Sequence, residues 1–506
     1  MRLRRAAAML CCVALSLPIP AATQPASPAP SAQRDYAAVL GGYIDRLRSV
    51  PGAPPGTVVL VTHRGRTLFA RAYGVRDVES GAPMTLDTPV YNGSVTKAYT
   101  GLLAAMLDAD GTLSLDTSIT DAWRALRPPT GIDPRAVTAR RLLSHSAPIN
   151  ADGLSYRTVV TGEGIGVDGV VHHLATHIRA REPGFDYSNS GPVIWAAMAE
   201  TRTGLHWRDL LRRRVLAPLG MTRSTGRTED FPRGELALCH ARSGGRWLAT
   251  DPKPTLLMSA AGGMFASGND TARFIQLFAT DGASARGRIP AAILRRTWQQ
   301  ESVQDTDIFG TRRDGYGLGW DLGTVLGQRF VSRSGGYVGC RSMALFLPES
   351  GLGVVVLTNG DAAANTHNSA IFTQAIDLWL DAAGARERGA QRIASYHAAA
   401  GQEVARVDAA DPRLTQVRPL EPATQRAIAG RYVNDRLGTI EARAAGTGVA
   451  LRLGIARGQM LWTGGDSFIA AFAPDPRYEG FQLERDPAGA PVALIFDDDR
   501  FVRQPG

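Results

Sequence analysis

The stretch Ser94-Val95-Thr96-Lys97 begins a segment in which apolar side chains recur with helical spacing. These side chains are Leu102, Leu103, Met106 and Leu107. Residues three apart on a helix share one face, so Lys97 is predicted to lie one turn beyond Ser94. A serine hydroxyl is a weak nucleophile until a base takes its proton, and a lysine without a carboxylate partner can act as that base. The four-residue pattern is common by itself, so its meaning depends on the rest of the chain.

Two further polar motifs follow it. Tyr187-Ser188-Asn189 lies within Gly184–Gly191, just before a predicted helix. Val331-Ser332-Arg333-Ser334-Gly335-Gly336 lies in a predicted strand. Four other landmarks accompany them in order: RLLSHS at 141–146, AAGGM at 260–264, YGLGW at 316–320 and GVVVLTN at 353–359.

Together these motifs resemble the serine β-lactamase and penicillin-binding-protein superfamily, specifically its class C β-lactamase, esterase and D-peptidase branch. The resemblance covers about residues 36–380. It implies an α+β fold, with an antiparallel sheet flanked by helices and a helical subdomain. It also implies that Ser94 attacks a substrate carbonyl, that Lys97 and Tyr187 transfer the proton, and that Asn189 contacts the substrate amide or Lys97.

The third motif departs from the family pattern. Arg333 stands where relatives carry the lysine of K-T-G or the histidine of H-x-G. Arginine keeps the positive charge and can bind a carboxylate through two hydrogen bonds, but it cannot release its proton. We therefore expect substrates with a carboxylate near the scissile bond. By position, Ser334 and Gly335 would contact the substrate, and the N–H groups of Ser94 and Gly336 would form the oxyanion hole.

The pattern of apolar residues divides the chain into two folded parts. Residues 36–385 form the predicted hydrolase domain, and residues 386–420 form a polar, partly helical linker. Residues 421–506 contain six short strand-like segments, which predict a small antiparallel β-barrel or sandwich. This last part resembles the lipocalin-like β-domain appended to some family members. The sequence leaves open whether it covers the cleft, binds a ligand or stabilises the chain.

The first residues indicate export. Arginines at positions 2, 4 and 5 precede the uncharged stretch Ala6–Leu17, and small residues follow, so a signal peptide is predicted over residues 1–24. Residues 25–35 are rich in Pro, Ala and Ser and predict an extended tether. We expect a periplasmic or secreted protein without a membrane span in the mature chain. Cys239 and Cys340 would then either form a disulfide or remain buried thiols.

Composition and charge argue against several classes of function. The formal charge of the 506-residue chain is +9, but its arginines are spread along the sequence and do not cluster with aromatic residues as a nucleic-acid-binding face requires. The nine histidines have no zinc-ligand spacing, and no Gly-rich phosphate loop is present. The resemblance implies that His145 supports a loop and is not the base. We predict no metal, cofactor or nucleic-acid partner, and the oligomeric state stays open.

The predicted function is a serine hydrolase that forms a Ser94 acyl-enzyme with esters or amides, including peptides and β-lactams. The alternative is a penicillin-binding or cell-wall-ligand-sensing protein with little turnover, which the departure at Arg333 favours. The intact Ser94, Lys97, Tyr187 and Asn189 favour the enzyme. An acyl transferase would share the acyl-enzyme and differ only in which nucleophile releases it.

Overall fold

The computed structural model describes residues 30–285, 288–308 and 311–505. The predicted signal peptide lies outside these residues, as do residues 25–29 of the tether. The helices are α1 (Pro30–Arg48), α2 (Thr96–Ala109), α3 (Ile119–Ala122), α4 (Ala139–Leu143), α5 (Asp152–Tyr156), α6 (Val167–Thr176), α7 (Ser190–Thr203), α8 (Trp207–Leu211), α9 (Gly268–Ala279), α10 (Ala291–Thr297), α11 (Ala364–Leu380), α12 (Ala382–Asp408) and α13 (Pro422–Ile428).

The strands before residue 400 are β1 (Gly56–His63), β2 (Arg66–Gly74), β3 (Val90–Tyr91), β4 (Ile149–Asn150), β5 (Arg179–Ala180), β6 (Ser224–Thr225), β7 (His240–Ser243), β8 (Arg246–Ala249), β9 (Phe265–Ala266), β10 (Ser302–Ile308), β11 (Thr311–Tyr316), β12 (Asp321–Val325), β13 (Gln328–Tyr337), β14 (Cys340–Leu347) and β15 (Leu352–Thr358). Those after it are β16 (Gly430–Asn434), β17 (Gly438–Ala445), β18 (Gly448–Leu453), β19 (Ala456–Gly464), β20 (Ser467–Phe472), β21 (Glu479–Arg485), β22 (Pro491–Phe496) and β23 (Asp499–Arg503).

An antiparallel sheet of eight strands forms the centre of the catalytic part, in the order β10-β11-β12-β13-β14-β15-β1-β2. The first hairpin therefore lies beside the last strand of this part, with Val59 opposite Val356. Successive side chains of β1 enter different cores: Val58 packs with α2 and α9, and Val59 packs with α1 and α11. Because helices cover both faces, this strand is apolar almost throughout. The predicted α+β class is confirmed.

The N-terminal helix differs from the predicted extended tether. Helix α1 starts at Pro30, so residues 30–35 of that tether are helical. Proline suits the first turn of a helix because its missing N–H would have no partner there. Leu40, Ile44 and Leu47 then recur at helical spacing and are buried under the sheet. Packing of this apolar face explains why the helix extends back into a Pro- and Ala-rich segment.

The connection after the sheet is mostly helical. Helix α12 runs from residue 382 to 408, so the boundary expected between residues 385 and 386 falls inside it. Tyr396 and Ala400 of this helix belong to the core beneath α1 and α11. The side chain of Arg242 pairs with Asp408 at 2.7 Å and fixes the far end of the helix. Much of the predicted linker therefore packs onto the catalytic part.

The C-terminal part is a closed antiparallel barrel of eight strands, from β16 to β23. It closes where β23 returns to β16, with Val433 opposite Val502. The sequence predicted six strands and left barrel and sandwich open; β19 and β23 were missed. Strand β23 buries one side chain, Phe501, and β19 buries only Ala456 and Met460. Neither strand therefore carries a clear apolar alternation.

The barrel docks on the helical region of the catalytic part through backbone contacts. Gly454 has a φ of +58°, and a Cβ there would lie 2.2 Å from the carbonyl oxygen of Thr161. Only glycine allows that approach. The backbone nitrogen of Ile455 donates to the same carbonyl at 3.1 Å, and Arg157 donates to the carbonyl of Arg436 at 2.9 Å. These contacts set the position of the barrel.

Cys239 and Cys340 form a disulfide, which decides between the two states that the sequence left open. Cys239 directly precedes β7, and Cys340 is the first residue of β14. The backbone nitrogen of His240 also donates to the carbonyl of Gly339 at 2.9 Å. The bridge therefore ties the turn between β13 and β14 to β7.

Two negative findings apply to the described residues. None of their helices is both long and apolar enough to cross a bilayer. Their His, Cys, Asp and Glu side chains form no group of three or more that could hold a metal ion.

Candidate active site

Ser94 lies in a single helical turn, Gly93–Val95, that leads directly into α2. Gly93 has a φ of +50°, and a Cβ there would lie 2.6 Å from the backbone nitrogen of Gly336. Glycine therefore permits both the left-handed backbone and the close approach. Ser342 Oγ reinforces the contact by donating to the carbonyl of Asn92 at 2.7 Å. The turn that carries Ser94 is thus held against the end of β13.

Lys97 lies one turn beyond Ser94, as the spacing predicts. Its Nζ donates to Ser94 Oγ at 3.1 Å, to Asn189 Oδ1 at 2.7 Å and to the carbonyl of Ala261 at 2.7 Å. None of these acceptors is a carboxylate, and the residue is 1% exposed. Burial therefore lowers the pKa of Lys97 to about 8, opposed by the Tyr187 oxygen and assisted by the cation of Arg333.

Tyr187 approaches the same hydroxyl from the other side. Its OH donates to Ser94 Oγ at 2.9 Å and accepts from Arg333 Nη2 at 2.5 Å. The charged groups of Lys97 and Arg333 each lie 4.8 Å from the centre of its ring. Burial of the hydroxyl raises the pKa of Tyr187, but these two cations outweigh it, so its pKa lies below the usual range. The residue as a whole is 41% exposed and lines the cleft.

Ser188, the middle residue of the Tyr187–Asn189 motif, makes the side-chain hydrogen bond to the start of α7, so the side chains of Tyr187 and Asn189 can both enter the site. Asn189 is at the N-cap position of α7, where asparagine usually caps the helix, but its side chain makes no capping bond. Ser188 Oγ accepts from the backbone nitrogen of Ser190 at 3.1 Å instead. The amide oxygen of Asn189 is therefore available to Lys97.

Arg333 is placed differently from the expectation. The sequence predicted that its guanidinium would bind a substrate carboxylate. In the structure Nη1 donates to Asp321 at 3.0 Å, Nη2 donates to Tyr187, and Nε donates to the carbonyl of Ser94 at 3.3 Å. The residue is 6% exposed. All three nitrogens thus have protein partners, while Arg333 also lines the cavity in front of Ser94.

An open cavity of about 420 Å³ lies in front of these groups. Its lining comprises Ser94, Tyr187, Arg333, Ser334, Gly335, Gly336, Tyr337, Arg341 and Asn365. The structure therefore brings the predicted substrate-contacting residues Ser334 and Gly335 and the predicted oxyanion residue Gly336 to the same cavity as Ser94. Asn189 and Lys97 lie behind it, against the serine.

His145 supports the Tyr187 loop. Its Nδ1 accepts from the backbone nitrogen of Ser188 at 3.3 Å, and its Nε2 lies 3.1 Å from the hydroxyl of Tyr316. Burial, together with the nearby cations, lowers the pKa of His145 well below its usual value. A neutral ring that holds two loops together fits the expectation that His145 is not the base.

Sequence reasoning missed several residues around the site. Asp321, the partner of Arg333, directly follows the YGLGW landmark, but only strand pairing places it opposite Ser332. Tyr337 and Arg341 flank the β13–β14 turn and line the cavity. Lys253 is buried and donates to the hydroxyl of Tyr91 at 3.2 Å, and no sequence motif marks it.

Comparisons with known proteins identify the family of the chain. Residues 45–376 match the Beta-lactamase family. Penicillin-binding protein 4 of Amycolatopsis lactamdurans is 30% identical over 328 residues, covering 62% of this chain and 82% of that protein.

Solved structures show the same fold. The octameric penicillin-binding protein homologue from Pyrococcus abyssi aligns with a TM-score of 0.57 at 23% identity, covering 92% of this chain and 99% of that one. The D-amino acid amidase from Ochrobactrum anthropi SV3 aligns with a TM-score of 0.54 at 22% identity, covering 69% of this chain and 98% of that one. Since the family match extends over most of the chain and contains all three motifs, this protein belongs to the beta-lactamase family, within the serine β-lactamase and penicillin-binding-protein superfamily.

Proposed function

We propose that this protein is a serine hydrolase that cleaves ester or amide carbonyls through a Ser94 acyl-enzyme. One observation carries the proposal: Ser94 Oγ lies 3.1 Å from Lys97 Nζ and 2.9 Å from the Tyr187 hydroxyl. Both of these groups have a pKa below its usual range. A serine between two activated proton acceptors is the arrangement that nucleophilic catalysis requires.

The charges of the site support a shared proton. Lys97 and Arg333 are cationic, and Asp321 pairs with Arg333 at 3.0 Å. Ionisation of Tyr187 would balance the remaining positive charge, so one proton can reside on either Lys97 or Tyr187. In acylation, the phenolate of Tyr187 takes the Ser94 proton while Oγ bonds to the carbonyl carbon. The same proton then passes to the leaving oxygen or nitrogen as its bond to carbon breaks.

The N–H groups of Ser94 and Gly336 are proposed to stabilise the tetrahedral oxyanion. The close contact of Gly93 with Gly336 supports this, because it brings the backbone of the serine turn to the end of β13. Water then attacks the acyl carbonyl, with Tyr187 or Lys97 as the base, and releases the acid. Arg333 keeps its proton throughout and serves to hold the Tyr187 oxygen.

Candidate substrates are small esters, D-amino-acid peptides or amides, and β-lactams. A relative named as an amidase and others named as penicillin-binding support these classes without choosing among them. If the substrate carries a carboxylate, Arg333 stays its predicted partner, and Arg341 in the same cavity is a second cation proposed to meet it.

The test is release of p-nitrophenol from p-nitrophenyl acetate by the wild type and by Ser94→Ala. We expect the variant to lose at least about 10³-fold in kcat/KM. A fluorophosphonate adduct mapped to Ser94 by mass spectrometry provides an independent readout. Equal activity of the two proteins would refute the nucleophile. A Ser94 acyl adduct that persists for hours would favour the binding-protein alternative.

A further inference from the structure

A second cavity, of about 850 Å³, lies between the catalytic part and the barrel. The side chains that form its walls are mainly apolar. The catalytic part contributes Tyr156, Val159, Val160, Leu248, Leu257 and Val338, and the barrel contributes Leu453, Ile455, Ala471, Phe472, Pro474 and Phe496. We call this space the interdomain cavity. Its volume is that of a site for a molecule of several hundred daltons.

The interdomain cavity leaves large apolar side chains open to solvent. Val159 is 37% exposed, Leu248 is 39% exposed and Ile455 is 38% exposed, and all three line it. Within the described residues they are three of only eight large apolar or aromatic side chains that are so exposed. A concentration of exposed apolar surface inside a concave space indicates a ligand that covers it.

The walls are held in place without a ligand. The Gly454–Thr161 contact and the hydrogen bond from Ile455 fix the barrel side, as described above. Arg477 at the edge pairs with Asp475 at 2.6 Å, and the other charged residues of the lining are Asp251, Arg457 and Glu479. The apolar side chains named above therefore offer a preformed surface between these charges, which loses little entropy when a ligand binds.

The cavity adjoins the candidate active site. Tyr337, the last residue of β13, lines both the cavity in front of Ser94 and the interdomain cavity. It follows Gly336 directly in the chain. The two cavities are therefore neighbours at Tyr337, and a substrate whose carbonyl lies against Ser94 and Gly336 would have the interdomain cavity beside it. This adjacency favours the substrate as the occupant over an unrelated partner.

We propose that the interdomain cavity binds an apolar chain or ring of the substrate, attached to the carbonyl that Ser94 attacks. The proposal rests on the proposed hydrolase function and gives the barrel a role in substrate selection. The part of the substrate that binds there is expected to be an aliphatic or aromatic group of about six to ten carbons. It belongs either to the acyl side or to the leaving group of the substrate.

The test compares Ile455→Glu with Val502→Glu in the full chain. Both residues are barrel side chains of similar exposure, 38% and 40%, but only Ile455 lines the interdomain cavity. One arm measures kcat/KM for p-nitrophenyl octanoate against p-nitrophenyl acetate. The other arm compares kcat/KM for octyl acetate with kcat/KM for ethyl acetate, measured by proton release. A third assay follows the fluorescence of N-phenyl-1-naphthylamine on binding, which needs no turnover.

We expect the wild type and Val502→Glu to prefer the longer ester in one of the two arms by at least about tenfold, because each buried methylene contributes about threefold to fourfold. The arm that shows it identifies the acyl or the leaving-group side. Ile455→Glu should lower that ratio by about tenfold and weaken binding of the naphthylamine. Absence of a chain-length preference in both arms of an active enzyme, or equal behaviour of the two variants, would overturn the proposal. If all proteins are inert on esters and also on a D-amino-acid amide and a β-lactam, the hydrolase proposal fails. Weaker naphthylamine binding by Ile455→Glu alone then still supports an apolar site.

Discussion

Removing the Arg333–Asp321 pair should shift the pH dependence of catalysis in a defined direction. Arg333 donates to the Tyr187 oxygen at 2.5 Å, and its cation favours the phenolate. Replacing Arg333 alone would leave Asp321 buried without its partner, which confounds stability with catalysis. The double variant Arg333→Met/Asp321→Asn avoids this problem because it removes both charges.

The size of the shift can be worked from the geometry. Two unit charges about 4 Å apart interact by about 4 kcal/mol at an effective dielectric constant of about 20, which corresponds to a factor of about 10³ in an equilibrium constant. Tyr187 is 41% exposed, so screening by solvent reduces the interaction. Loss of the Asp321 carboxylate acts in the opposite direction and reduces it further. We therefore expect the pKa of Tyr187 to rise in the double variant. Since the phenolate is the proposed base, activity should be lost from the acid side.

The assay is kcat/KM for p-nitrophenyl acetate between pH 5 and 10. The acid limb should move to higher pH, with a loss of about 10–100-fold at neutral pH and a smaller loss at alkaline pH. Arg329→Met/Asp314→Asn is the control, because that pair spans the same sheet at 2.9 Å but lies outside the site. A uniform loss at every pH, or the same shift in the control, would refute the assigned role of Arg333.

Three other predictions concern single residues. Tyr187→Phe should lower kcat/KM for the same ester by about 10²–10⁴-fold, because it removes the proposed base, while thermal unfolding shows an intact fold; a loss under tenfold would contradict the role. Burial, assisted by Lys97, lowers the pKa of Lys253 to about 7 from 10.5. Between these two pH values the folded chain binds fewer protons than the unfolded chain, so the folded state becomes more stable as the pH rises. Lys253→Met should therefore gain most in Tm relative to the wild type near pH 6 and least near pH 10.5; a difference independent of pH would exclude this explanation. Gly454→Val should lower the unfolding free energy by about 1–3 kcal/mol and make the barrel more sensitive to limited proteolysis, because a Cβ there meets the Thr161 carbonyl at 2.2 Å; unchanged proteolysis would show that this contact does not position the barrel.

Local patterns were sufficient for much of the fold. Apolar spacing predicts the first hairpin, the helix after Ser94 and the strand that contains Arg333, because each of these segments carries its own regular apolar pattern. Strands β19 and β23 could not be predicted in this way, since closure of the barrel and not their own composition makes them strands. The start of α1 was missed for a similar reason: burial of Leu40 and Ile44 under a distant sheet outweighs the local preference.

The residues of the candidate site also fall into two groups, those that a short motif predicts and those that only the fold brings to the site. The sequence predicted Ser94, Lys97 and Tyr187 as site residues because each lies in a short motif. Asp321 lies twelve residues from Arg333 across a hairpin, and its importance depends on strand register. The sequence could identify the arginine but not the carboxylate that pairs with it. The expected carboxylate-bearing substrate stays a prediction.

The Cys239–Cys340 disulfide has a practical consequence for work with the purified protein. Such a bridge forms in an oxidising compartment and is not maintained in a reducing cytoplasm. It anchors the turn that carries Tyr337, which lines both cavities, and Val338, which lines the interdomain cavity. Recombinant material with mixed thiol oxidation would therefore contain a second population in which this turn lacks its covalent anchor. Titration of free thiols before kinetics would keep such a mixture from being mistaken for a broad substrate range.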